Sequence, residues 1–192
     1  MGLCVACFPC GEAGIRFIYV SAFHGDMIIR SGRWVYALRE EDAHNYVEHR
    51  RNEKDASSPN RLDEGFMAFL GYTDHHAIGK WVVEDSVERL AEAFEGIEQL
   101  VEDGRIPLAK YSPKEDLFSD PLPYDPPIMC VYADNRKKDS VLFHMEGLGL
   151  RPHEFRYEWE TRRDWEPGGR LDRRMQEQRM RYLLELGSTS GK

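Results

Sequence analysis

The first ten residues, Met1-Gly2-Leu3-Cys4-Val5-Ala6-Cys7-Phe8-Pro9-Cys10, bring three thiols close together. Gly2 with Cys4 behind it is the pattern of an N-myristoyl and palmitoyl anchor, although Ala6 stands where the usual motif has Ser or Thr. One acyl chain holds a membrane marginally, and a second, on Cys4 or Cys7, makes the anchoring stable. The same Cys-x-x-Cys-x-x-Cys spacing suits a soft metal but lacks a nearby fourth ligand, and an unmodified terminus is the third reading. No convincing metal-ligand set stands out, and no cofactor is implied. Elsewhere the reactive residues have plain readings first. Cys130, in an apolar run, reads as a small buried hydrophobe, because nothing near it would lower a thiol pKa. His75-His76 reads as a polar loop pair, and Arg162-Arg163 as a solvated basic surface. Lys80, beside Trp81, reads as a snorkelling amine or a ligand-binding one. Lys110, between Ala109 and Tyr111, reads as an edge-strand charge or a site residue.

What positions these residues is a chain of 192 residues, 41% hydrophobic and 31% charged, a length that suits one domain with a real core. The 34 acidic side chains outnumber the 26 Lys and Arg, and the formal charge of −8 works against wholesale coating of duplex DNA. A local basic patch is compatible with it. No apolar run approaches the ~20 residues of a membrane-spanning helix. The start has neither a basic n-region nor a long apolar h-region, and cysteine usage is not that of a disulfide framework, so a reducing, cytoplasmic setting is expected.

Strands are expected at 15–22, 34–38, 78–84, 106–112, 128–133 and 154–160, from β-branched, aromatic and alternating runs. Helices are expected at 40–51, 66–72, 85–104, 138–148 and 171–186. The clearest carries Val87, Leu90, Ala91, Phe94, Ile97, Leu100 and Val101 on one face, with Asp85 and Glu88 as a capping box and Gly104 at its end. Residues 52–61 read as a loop, as do 113–127 with five prolines, of which Pro121 to Pro127 form a rigid loop or a polyproline ligand. The expected organisation is a Cys-rich segment over 1–12, one domain over 13–186 and a loose tail over 187–192. The expected fold is α+β: a mixed, mainly antiparallel sheet with helices covering one face and the other partly open for a ligand.

A family resemblance enters over residues 73–161. Thr73-Asp-His75-His76-Ala-Ile-Gly79-Lys80-Trp81 is followed by Gly104-Arg105-Ile-Pro-Leu-Ala109-Lys110-Tyr-Ser112-Pro113, Cys130-Val131-Tyr132-Ala-Asp134, Leu148-Gly149-Leu150, Arg156-Tyr157 and Thr161. In order and spacing these resemble the basophilic-leukaemia-expressed protein family, whose domain is named for phosphothreonine lyases. Its fold is similar to that of the cap-binding translation initiation factor 4E, a curved sheet backed by helices. The resemblance implies a lysine-centred site. Lys110 matches the lysine that removes a proton in β-elimination, a role that needs its pKa brought down from ~10.4 toward neutrality. Lys80 on a neighbouring strand would hold phosphate, and two ammonium groups facing one pocket would depress each other. Arg156, Arg162 and Arg163 become the candidate phosphate clamp, with Tyr157, Trp81 and His76 as further ligand contacts. The pattern departs at Val82, which stands where the lyases have the general-acid histidine.

Three functions follow as expectations. The first is a phosphate- or phosphopeptide-recognising domain, with carbon–oxygen lyase activity left open by Val82. The second is an RNA- or cap-type nucleotide binder, in which Trp34, Trp81, Trp159 or Trp165 stacks bases. The third is a non-catalytic interaction module, touching membrane only if Gly2 and Cys4 are acylated.

Overall fold

The computed structural model describes residues 7–9, 16–21, 27–31, 34–39, 41–46, 62–74, 76–112 and 127–189. Gly2, Cys4, Cys10 and His75, and the expected loops at 52–61 and 113–126, lie outside the described residues.

The chain is α+β. Its strands are β1 (Cys7–Pro9), β2 (Arg16–Ser21), β3 (Met27–Ser31), β4 (Trp34–Leu38), β5 (Ile78–Glu84), β6 (Ala109–Tyr111), β7 (Ile128–Asp134) and β8 (Glu154–Tyr157). Helical segments are α1 (41–46), α2 (Leu62–Phe69), α3 (Val87–Glu102), α4 (Lys138–Gly147), α5 (Glu158–Trp165) and α6 (Arg170–Thr189). No helix among the described residues is long and apolar enough to cross a membrane.

One sheet runs in the order β1-β2-β3-β4-β6-β7-β5-β8, and every neighbouring pair is antiparallel. The expected mixed sheet is corrected on this point, and the connections give the reason. The β5-α3-β6 crossover leaves room for β7 between its two strands, and β7-α4-β8 likewise straddles β5. Each is a split β-α-β unit, whose parallel strands are separated by an antiparallel one.

Both crossover helices pack on one face. Leu90, Phe94, Ile97 and Val101 of α3 and Val141 and Met145 of α4 meet Val35, Ala37, Ala109, Met129, Val131, Ala133 and Val83 of the sheet. The 3-and-4 spacing on α3 produces this stripe. Its N-cap is Ser86, whose Oγ accepts from the Arg89 N–H at 3.3 Å. Asp85 sits one position too early and instead pairs with Arg89 at 3.4 Å, which corrects the expected capping box. Gly104 takes φ +69°, the left-handed geometry that a helix end favours and a side chain resists.

The opposite face is not left open at both ends. Near one end, Ala43 and Tyr46 of α1 and Phe66 and Met67 of α2 form a second core with Tyr36, Leu38, Ile78, Leu108, Cys130 and Tyr132. Near the other, α5 and α6 contribute residues to a pocket floored by the sheet. Two expected strands come out shorter. Pro107 has no N–H to donate, and the strand there is Ala109–Tyr111, flanked by the Tyr132 N–H donating to the Leu108 carbonyl and the Ser112 N–H donating to the Ile128 carbonyl, each at 2.9 Å. The expected strand at 154–160 stops at Tyr157, and α5 follows at once, begun by the Tyr157 N–H donating to Glu160 Oε2 at 3.0 Å.

Candidate functional site

Strand alternation determines which residues reach this second face. On β5, Ile78, Lys80, Val82 and Glu84 share it; cross-strand register then adds Cys130 and Tyr132 from β7 and Glu154 and Arg156 from β8. Lys110 lies opposite Cys130 on one side and Tyr36 on the other, so it sits within the sheet and not on an edge. Gly79 makes the β5–β8 approach possible: a Cβ there would fall 2.5 Å from the Phe155 ring and 2.7 Å from the Arg156 carbonyl oxygen.

These residues converge on a pocket of about 100 Å³. Lys80, Lys110 and Arg156 line it together, with Val82, Cys130 and Glu154 on the sheet and Thr161, Trp165, Arg170 and Arg174 from the helices. Trp34 lines it as well. Among the described residues, five lining cations thus face two lining carboxylates, Glu84 and Glu154, in a protein that is acidic as a whole.

Neither lysine snorkels. Lys80 is 5% exposed, and its Nζ donates to Glu158 Oε1 at 2.6 Å. Glu158, on the first turn of α5, is equally buried, and the pair compensates two charges that burial would otherwise heavily penalise. Lys110 is 2% exposed and stands among aromatic faces, 4.3 Å from the Trp34 ring centroid, 5.7 Å from Tyr36 and 5.8 Å from Tyr132. A cation over ring faces gains from their negative quadrupoles, more so when dry. The Lys80 ammonium lies 5.3 Å from the same Tyr132 ring, so one side chain touches both amines.

The arginines are engaged by acids. Arg156 donates to Asp164 Oδ2 at 2.9 Å and to Glu154 Oε1, and Arg170 reaches Asp164 at 3.2 Å. An entering anion must therefore share these guanidinium groups with carboxylates.

The other residues singled out from sequence fall elsewhere. Trp81 points to the opposite face, because it follows Lys80 by one position; its Nε1 donates to the Lys138 carbonyl at 2.9 Å, and its ring packs edge-on against Phe155. Tyr157 also alternates away, and its hydroxyl donates to Asn135 Oδ1 at 2.8 Å. Arg162 and Arg163 are exposed on α5 and do not line the pocket. His76 is exposed, with its ring 5.9 Å from Trp159, over which Arg163 also lies at 5.2 Å. Cys130 is buried on the pocket floor.

Glu158 is the residue that sequence reasoning missed, since it fell inside an expected strand. Glu160, three positions after Tyr157, is the local sign that a helix begins there. The helix α6 contributes Arg170 and Arg174, and nothing in their spacing marks them apart from other arginines of that helix.

No family model matches the chain, and no curated protein matches it.

Proposed function

We propose that this pocket binds a phosphate-type dianion carried on a phosphorylated peptide, and that the chain is a phosphate-recognising domain of the phosphothreonine-lyase type on an initiation-factor-4E-like fold. One observation carries the reading: Lys80, Lys110 and Arg156, from three strands and far apart in sequence, line one pocket. Among the described residues the lining carries more cations than carboxylates, so the pocket favours an anionic ligand. Recognition is the core of the proposal, and elimination is its stronger form, with Lys110 as base. Val82 lines the floor and offers no proton, so an acid has to come from another residue. An intracellular setting, with a membrane tether if Gly2 is acylated, goes with this reading.

The test is a panel of phosphothreonine peptides assayed for binding and, by mass spectrometry, for loss of the elements of phosphoric acid. Phosphate-dependent binding that disappears in Lys110→Ala supports recognition, and a matching mass loss establishes the lyase. Peptides that bind equally with and without phosphate would sink both forms. A second reading, nucleotide binding, draws on Trp34 and Trp165, which both line the pocket and offer faces for a base. A mononucleotide that out-competes the phosphopeptides would favour it.

A further inference from the structure

Glu158 has one oxygen accounted for and one not. Oε1 accepts from Lys80, whereas Oε2 is buried and no group among the described residues donates to it. A buried carboxylate oxygen without a donor forfeits its solvation, a cost that falls mainly on its charge. Lys80 lines the pocket, and Glu158 is joined to it. A dianion entering beside Lys80 would place two anions around one ammonium, in surroundings too dry to screen them. A single proton on Oε2 would remove the negative charge and relieve that repulsion.

We infer that anion binding in this pocket is coupled to the uptake of one proton by Glu158. The inference rests on the phosphate-site reading above. The charged or titratable groups that line the pocket with Lys80 are Glu84 on β5, Lys110 on β6, Cys130 on β7, Glu154 and Arg156 on β8, and Arg170 and Arg174 on α6, with Tyr132 on β7 beside the two lysines, Asp164 on α5 behind the arginines and His76 against Trp159 outside the pocket. Glu154 and Asp164 already accept from arginines, so neither has the need of a proton that Glu158 Oε2 has.

Sodium sulfate is the probe, because it stays a dianion near neutrality and any proton taken up belongs to the protein. Its dissociation constant is measured on the full chain by tryptophan fluorescence across neutral pH at constant ionic strength. Uptake of one proton makes the constant rise about tenfold per pH unit on the alkaline side. Glu158→Gln should flatten that slope and tighten binding at high pH, while His76→Gln should leave the slope in place. Calorimetry of the wild-type chain in two buffers of different ionisation enthalpy counts the proton directly and needs no variant. Sulfate binding that is lost in Lys110→Ala but independent of pH in the wild type overturns the proton coupling and leaves the phosphate site standing. A slope that survives in Glu158→Gln overturns it as well. A wild-type chain that ignores sulfate removes the phosphate site, and the coupling with it.

Discussion

On β5 and β7, Trp81, Val83, Met129, Val131 and Ala133 project to one side of the sheet, and Lys80, Val82, Cys130 and Tyr132 to the other. The first side meets the apolar stripes of α3 and α4 and is packed shut. The second carries aromatic packing at one end, near α1 and α2, and buried charge at the other, where Lys80 is compensated by Glu158. Alternate positions of the same strands therefore serve different ends. One face is built from burial, which needs no partner of particular chemistry. The other holds charges that are stable only with matched partners, and such groups are a frequent mark of a binding site.

The largest effect is expected from damage to the apolar face alone. Phe94→Ala should cost about 3–5 kcal/mol in denaturant unfolding, by lost burial and the cavity left beside Tyr111, its ring neighbour at 4.6 Å. At a temperature where it remains folded, its sulfate binding should match the wild type. A large change in binding there would mean that the two faces are coupled.

The next largest effect runs the other way. Replacing the buried pair with Lys80→Met and Glu158→Leu together should leave stability unchanged or raise it by roughly 1–4 kcal/mol, while abolishing anion binding. Glu158→Ala alone should instead cost about 3–5 kcal/mol, because it strands a buried ammonium. A double variant as unstable as the single one would show that the pair serves the fold and not a ligand.

The smallest effect lies at Asp134, at the end of the β7 row that also holds Cys130 and Tyr132. Burial pushes its carboxyl up, but hydrogen bonds from the Arg136 side chain and from the backbone N–H groups of Arg136 and Lys137 outweigh it and hold it below the usual carboxylate range. A lowered folded value contributes stability above the unfolded carboxyl's ~3.9, and loses it as pH falls toward the folded value. Asp134→Ala should cost roughly 0.5–2 kcal/mol near neutrality, the scale of a lost capping interaction. It should also flatten acid unfolding in that window. Unchanged acid sensitivity would place the responsible carboxylates elsewhere.

Much of the fold was legible from local pattern. The strands 34–38 and 78–84 and the α3 stripe follow from alternation and from 3-and-4 spacing, which are properties of the chain alone. β1, β3 and α5 escaped, and α5 did so because residues 158–165 carry no apolar stripe to mark a helix. For the site, the family resemblance points to Lys80, Lys110 and Arg156, which line the pocket, and to Trp81 and Tyr157, each of which follows a pocket residue by one position and so alternates away from it.

The sequence by itself determined which residues alternate and therefore which could share a face, because a strand has a strict two-residue period. Only the tertiary structure decided which strands lie side by side. The split crossovers insert β7 between β5 and β6 and β5 between β7 and β8, and that non-local pairing brings Lys80, Lys110 and Arg156 to one pocket. The docking of α5 likewise joins Glu158 to Lys80, 78 positions away, because a buried charge requires a partner and no rule of local spacing says where in the chain it will be found.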